Sequence, residues 1–356
     1  MALEALKNKS IGIIIPDFDH GGEEKRALFF ANKYVSYFKK VYLFAPEGAQ
    51  TPLLDSRVQQ VRTPIRGYRS VLGVLRYVQQ QQIDFIQGHK RTTFPYLLML
   101  EKFSRAKVNF NFDNIYLDKE WLYRFAPTRL YYLSDHMKDH YQRWFKDREN
   151  ITINMGGEFY TPIPNSEAEA LKRELKLENC FVLISLGRLS DQKNQEVTLK
   201  ALSRIADESI VCLMVGEGPK EAQLKQLAGE LNLPHRVQFL GHRSDVAKLL
   251  SIADVLVQSS IFEGFPNVFI EAASLALPII TTRVGSYSTL VGDNGIAVAV
   301  NDVEAFAEAI LEMKANYPRY AEHACTLSQS AYFKEFHKSK MLENYLLQYS
   351  KDAQNA

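Results

Sequence analysis

Residues 259–282 read SSIFEGFPNVFIEAASLALPIITT. The run before it, ADVLVQSS, is an apolar strand that stops at Ser259–Ser260. A loop carries Glu263 and Gly264. Pro266 follows, and proline suits the first turn of a helix, where its missing N–H costs nothing. The helix runs through Phe265–Pro266 into Asn267, Val268 and Glu271 and on to about Leu275. Pro278 ends it, and Ile279–Thr281 begin the next buried strand. Glu263 and Glu271, with seven residues between them, flank a helix N-terminus. Unpaired N–H groups and partial positive charge make such a terminus a phosphate site. Glu263 precedes it and can accept hydrogen bonds from hydroxyls. Glu271 lies little more than a turn inside, within reach of a ribose. The arrangement suits a nucleotide-sugar.

A second stretch, FVLISLGRLSDQKN, covers residues 181–194. Its strand ends at Gly187, and Arg188 and Lys193 occupy the loop before the next helix. Cleaving a sugar–phosphate bond leaves a nucleoside diphosphate of growing negative charge. Preorganised cations stabilise that charge without a metal.

Together these stretches resemble retaining glycosyltransferase family 4, in its bacterial surface-glycan form. The resemblance implies a GT-B fold: an α/β chain of two Rossmann-like domains whose parallel sheets face an interdomain cleft. It implies that Glu263 contacts the donor sugar and Glu271 the ribose. Arg188, Lys193 and the helix start at Phe265–Val268 would hold the diphosphate. Gly216, in the turn VGEGP, matches a family turn after a strand. His242 follows the strand VQFLG, which flanks the nucleobase in the family. The Gly21-Gly22 turn resembles one beside the diphosphate and the reacting sugar; a tight turn needing glycine reads the same way. The match is strong over about 181–300 and rests on layout alone before that. The chain also departs from the family. Asp113 stands about where many members carry a His. After Gly285-Ser286 the chain has Ser288-Thr289, without the family's usual Glu.

Elsewhere short apolar runs alternate with helical periodicity, which implies parallel sheets with right-handed crossovers. Ile11–Ile15, Val41–Ala45, Val58–Val61, Phe85–Gln87, Val108–Phe112, Leu130–Leu133 and Ile151–Ile153 read as strands. Helices are expected over 23–38, 71–81 and 136–145. Ligands bind at the carboxyl ends of such strands. There QGHKRTT places His89, either an acceptor or sugar contact or an ordinary solvated residue. Asp17-Phe18-Asp19 spells the Asp-x-Asp of metal-dependent transferases, but an Asp-rich turn is the commoner reading. No metal site is expected. The loop lacks the Gly-x-Gly-x-x-Gly of dinucleotide-binding domains.

At 356 residues the chain exceeds one usual core. TPIPNSEAEA, residues 161–170, reads as a linker. We expect an acceptor domain over 1–162, a donor-nucleotide domain over 163–332 and a final helix over 333–356 that crosses back. The net charge of +2 does not point to nucleic acid. Residues 1–165 hold 24 Lys+Arg and 17 Asp+Glu, against 19 and 24 in the remainder. That split fits a first domain that meets anionic lipid or an anionic acceptor, or an incidental partition of surface charge. Cys180, Cys212 and Cys325 have no metal-ligand spacing. MALEALKNKS has no apolar signal core, and no run approaches a membrane span. The expectation is a cytoplasmic protein with peripheral membrane contact left open.

The implied activity is metal-independent transfer of a sugar from a nucleotide-sugar, a UDP-sugar by preference. The acceptor would be a glycan or a lipid-linked species, as in lipopolysaccharide synthesis. No cofactor is expected beyond the donor, itself a substrate. Two alternatives stay open: a GT-B subunit that binds and stabilises a partner, and a sugar-nucleotide epimerase.

Overall fold

Runs of Ile, Val, Leu and Phe too short for helices become strands buried on both faces. The computed structural model describes residues 2–19, 21–65, 67–116 and 118–354. Seven strands form one wholly parallel sheet: β1 (Ser10–Ile14), β2 (Lys40–Ala45), β3 (Val58–Arg62), β4 (Phe85–His89), β5 (Lys107–Phe112), β6 (Arg129–Tyr132) and β7 (Glu149–Thr152). Six more form a second: β8 (Phe181–Leu186), β9 (Ile210–Val215), β10 (Val237–Gly241), β11 (Val255–Gln258), β12 (Ile279–Thr282) and β13 (Gly295–Val298). The orders are β3-β2-β1-β4-β5-β6-β7 and β10-β9-β8-β11-β12-β13. Each sheet therefore reverses direction once, between β1 and β4 and between β8 and β11. Such a switch point opens a crevice outside the carboxyl ends of its strands.

Two compact units carry these sheets: Met1–Asn154 with Ser339–Ala356, and Met155–Lys338. In the first, Ile11, Ile13, Phe30 and Tyr34 share a core with Tyr345 and Tyr349 of the last helix, Lys338–Gln354. Tyr345 meets Phe30 edge-on, with ring centroids 4.7 Å apart. The Tyr349 hydroxyl donates to Gln87 Oε1 at 2.9 Å and accepts from Asn109 Nδ2 at 3.0 Å. Arg129 pairs with Asp352. The last helix is thus fixed by a buried aromatic face and polar anchors. In the second unit, Leu183, Leu199, Met214, Val257, Ile280 and Phe306 form the core.

Several helices differ from their expected ranges. The first spans Gly22–Tyr34 rather than reaching residue 38, and Tyr37 and Phe38 close it with bonds back to the Tyr34 carbonyl. The second starts earlier, at Gly67, and the fourth stops at Tyr141. All three cysteines are free. Burial pushes the Cys212 thiol up to about 12, whereas Cys180 is half-buried and Cys325 exposed. Among the described residues, no helix is long and apolar enough to cross a membrane.

Candidate active site

In the second unit, the turns after β8, β9 and β10 interlock through backbone. Gly187 N–H donates to the Val215 carbonyl at 3.0 Å, and Gly216 N–H to the Gly241 carbonyl at 2.8 Å. Gly216 has φ +134°, and a Cβ there would lie 2.1 Å from the Gly187 oxygen. Only glycine allows both the dihedral and the approach. The same holds at Gly285, with φ +56°, where a Cβ would lie 2.4 Å from the Glu263 carbonyl oxygen.

Against this floor the loop after β8 meets the loop after β11. Lys193 Nζ pairs with Glu263 Oε1 at 2.5 Å. Glu263 is 7% exposed. Its Oε1 also accepts from Ser260 Oγ at 2.6 Å and Gln258 Nε2 at 3.2 Å. A buried carboxylate with such partners is oriented as well as charge-balanced. Gln192 ties the same loops: its side-chain amide donates to the Phe262 carbonyl at 3.1 Å, and its backbone carbonyl accepts from Ile261 N–H at 2.8 Å.

The helix Asn267–Ser274 starts directly after this loop, with Pro266 at its cap and no side chain bonding its first turn. Asn267 is exposed. Its neighbours Phe265, Pro266 and Val268 are buried, and Phe265 stacks on Phe336 with centroids 5.8 Å apart. What Phe265 and Val268 offer a ligand is therefore backbone rather than side chain. Glu271 is half-buried. Burial first, and the Glu271 charge next, push the Tyr160 hydroxyl up to about 12. Arg188 is exposed; its guanidinium has no ion-pair partner among the described residues. Its carbonyl accepts from Gln195 Nε2 at 3.1 Å. His242 is exposed, and its N–H faces Glu217 Oε1 at 3.4 Å.

Gly21, Gly22, His89 and Asp113 belong to the first unit. Gly21 caps the helix Gly22–Tyr34 in extended backbone. His89 is fully buried. Its Nδ1 lies 2.7 Å from Asp113 Oδ2, and the amide nitrogens of Gln87 and Asn111 face Nε2 at 2.9 and 3.4 Å. The Gln87 amide is itself oriented, because its carbonyl accepts from the Tyr34 and Tyr349 hydroxyls. The Nδ1 edge of the ring thus faces Asp113 and the Nε2 edge the two amides. The burial contradicts the solvated-residue reading of His89. Asp113 also pairs with Arg26. Burial alone would raise its carboxyl, but the Arg26 charge and then His89 hold it below the usual range. The enclosed side chain of Asp113 faces Arg26 and His89.

Beside that buried pair lies a more accessible cluster. Lys90 bridges Asp17, at 2.6 Å, and Glu24. Asp19 accepts from Ala49 N–H at 3.1 Å. Lys90 has φ +59° and ψ 124°, a costly conformation for a side-chain-bearing residue. The Tyr116 hydroxyl donates to Glu23 Oε1 at 3.1 Å, while Glu23 Oε2 is sealed and unbonded. Burial, then the Asp113 charge, push the Glu23 carboxyl up to about 7. Burial likewise raises Glu24.

Sequence reading missed Gln258, Ser260, Gln195, Glu23 and Arg26. Ser260 and Gln258 had a signal: a polar strand end within five residues of Glu263. Arg26 had none, since its partner is 87 residues away.

Residues 167–331 match the family model described as glycosyl transferases group 1. An Escherichia coli UDP-Gal:alpha-D-GlcNAc-diphosphoundecaprenol alpha-1,3-galactosyltransferase is 25% identical over 300 residues, which is 75% of this chain and 77% of that protein. The lipopolysaccharide core biosynthesis glycosyltransferase LpsE of Rhizobium meliloti is 31% identical over 137 residues, or 38% of this chain and 40% of LpsE. The crystal structure of Anabaena HepE in complex with UDP superposes with a TM-score of 0.85 at 20% identity, covering 96% of this chain and 100% of HepE. The floor of glycines, the Lys193–Glu263 pair and the helix start at Asn267 all lie inside the matched residues. Over those residues the chain is similar to the group 1 glycosyl transferases, and it is a glycosyltransferase on a GT-B fold.

Proposed function

We propose that the protein is a retaining, metal-independent glycosyltransferase that takes a UDP-sugar and glycosylates a lipid-linked or glycan acceptor in surface-polysaccharide synthesis, for instance of lipopolysaccharide. The observation that carries this is the asymmetry of Glu263. Its three bonds all go to Oε1, and among the described residues none goes to Oε2. A fixed, buried carboxylate with one unbonded oxygen is a hydroxyl receptor for the donor sugar. Lys193 and Arg188, with the Asn267–Val268 backbone, would hold the diphosphate. Glu271 would hold the ribose. The bond from the anomeric carbon to the phosphate oxygen breaks, and its electron pair stays on that oxygen. The acceptor oxygen attacks the same face of the sugar, and its proton passes to the departing phosphate. Fixed cations supply the charge stabilisation, so no metal or other cofactor is required.

UDP is favoured over other nucleotides because the E. coli relative is named for UDP-Gal and HepE was crystallised with UDP. The diphosphoundecaprenol in the E. coli name supports a lipid-linked acceptor. The basic balance of residues 1–165 supports a cytoplasmic protein that rests on an anionic membrane. Calorimetry with UDP and GDP, followed by a hydrolysis screen of nucleotide-sugars without acceptor, tests the reading. UDP should bind, and one UDP-sugar should be slowly hydrolysed. Binding of no nucleoside diphosphate would end the proposal. Flotation with anionic liposomes tests the membrane part, with binding expected at low salt and release as salt screens it.

A further inference from the structure

Gln195 opens the helix Gln195–Ser203, directly after Asn194, whose φ of +50° turns the chain out of the Arg188–Lys193 loop. A polar residue in the first turn of a helix is ordinarily solvated. This one is 3% exposed. Its Nε2 donates to the Arg188 carbonyl at 3.1 Å, while its Oε1 is enclosed and has no partner among the described residues. The amide cannot be turned round, because its oxygen would then face the Arg188 oxygen. Beside it runs a groove of about 170 Å³, lined by Ser190, Asp191, Lys220 and Leu224 among others. Half of a buried amide is thus left unsatisfied at a position where an apolar side chain would fit, and that arrangement costs stability.

The hydrogen bond it does make has a specific target. The Arg188 carbonyl and the Leu189 N–H are the two edges of one peptide plane. Gln195 holds the first, and the Glu217 carbonyl accepts from the second at 3.0 Å. Clamping both edges sets the backbone torsion from which the exposed Arg188 side chain departs. Local rules broken at a stability cost concentrate at functional sites.

We propose that Gln195 is a positioning residue for Arg188: it fixes the peptide that aims the guanidinium at the leaving diphosphate. The inference rests on the reading of Arg188 as a diphosphate ligand. It gives Gln195 an effect on turnover without any contact to substrate.

The test is a double-mutant cycle on the full-length protein with Gln195→Met, Arg188→Ala and the double variant. UDP affinity, turnover and melting temperature are measured for each. Gln195→Met keeps the volume and removes both amide groups. It should melt at or above the wild-type temperature while kcat falls about 10- to 100-fold, the scale on which small misplacements act. In the Arg188→Ala background it should cost nothing further, because its effect passes through that side chain. Wild-type turnover in Gln195→Met would overturn the inference. So would a loss that simply adds to that of Arg188→Ala, or a variant that fails to fold, either of which marks a structural role. If Arg188→Ala itself retains wild-type turnover and UDP affinity, the failure belongs to the donor-site reading instead.

Discussion

Lys193 Nζ lies 2.5 Å from Glu263 Oε1, so one ion pair joins the loop leaving β8 to the loop leaving β11. Those strands flank the switch point of their sheet. The pair therefore sits where an α/β sheet opens its ligand crevice. Each residue orients the other.

Removing either partner should cost more than the other's substitution can restore. Lys193→Ala leaves an anionic carboxylate enclosed, and Glu263→Gln removes the proposed sugar receptor. Each should lower kcat by about 10²–10³, the scale of losing one preorganised electrostatic group. The double variant should be barely worse than the singles, since residues acting as a unit are not additive. Steady-state kinetics at saturating donor decides this. Full activity in both singles would move the active site elsewhere.

Gly216→Ala tests the floor beneath that pair. A methyl group at φ +134°, 2.1 Å from the Gly187 oxygen, must displace backbone. We expect a loss of about 1–3 kcal/mol, seen as a drop of about 2–4 °C in melting temperature per kcal/mol. UDP should stabilise the variant less than the wild type. An unchanged melting curve would show that the turn does not need its glycine.

The candidate site in the second unit was largely legible because its groups cluster in sequence. Glu263, Asn267 and Glu271 lie within nine residues, and Arg188 and Lys193 within six. Strand end, loop and helix start are each local patterns. The first unit was legible only as alternation. Arg26, His89 and Asp113 come from a helix and two strand ends, and nothing in local spacing announces that they meet. The apolar run Phe85–Gln87 stops short of His89, whereas β4 continues through it and its ring is buried. Gln195 carries no sequence signal, because polarity at a helix start usually means solvent.

Asp113 illustrates the consequence. Its removal leaves the Arg26 charge enclosed without its carboxylate. Asp113→Ala should destabilise the protein by about 3–5 kcal/mol, as when one member of a buried ion pair is deleted. Chemical denaturation measures this. A variant with wild-type stability and lost activity would instead restore Asp113 to direct acceptor contact.

Glu23 predicts a pH dependence of known sign. Its carboxyl titrates near 7 in the folded protein and near 4.5 unfolded. A raised carboxyl favours folding while protonated, so its contribution is complete below about pH 4.5 and is lost as pH climbs through 7. The full shift would correspond to about 3 kcal/mol, and partial solvent access reduces it to about 1–3. Glu23→Gln lacks this loss. Stability of the variant relative to wild type should therefore rise between pH 5 and pH 8 in urea titrations. Parallel curves would show that the carboxyl is ionised throughout.

Glu271 makes the sharpest claim about ligand orientation, since it assigns one side chain to one part of the nucleotide. A carboxylate accepting from a ribose hydroxyl contributes about 1.5–3 kcal/mol, the range for hydrogen bonds to charged groups. Glu271→Ala should then weaken UDP binding by about 10- to 100-fold. Deoxygenating the hydroxyl that Glu271 engages should cost the wild-type protein a similar factor and the variant almost nothing. Titrating UDP and its 2′- and 3′-deoxy analogues against both proteins gives the coupling directly. If Glu271→Ala weakens UDP and both analogues equally, the carboxylate shapes the helix or its Tyr160 neighbour rather than holding a ribose. The diphosphate could still sit at Asn267, but the nucleoside would have to extend in another direction from it.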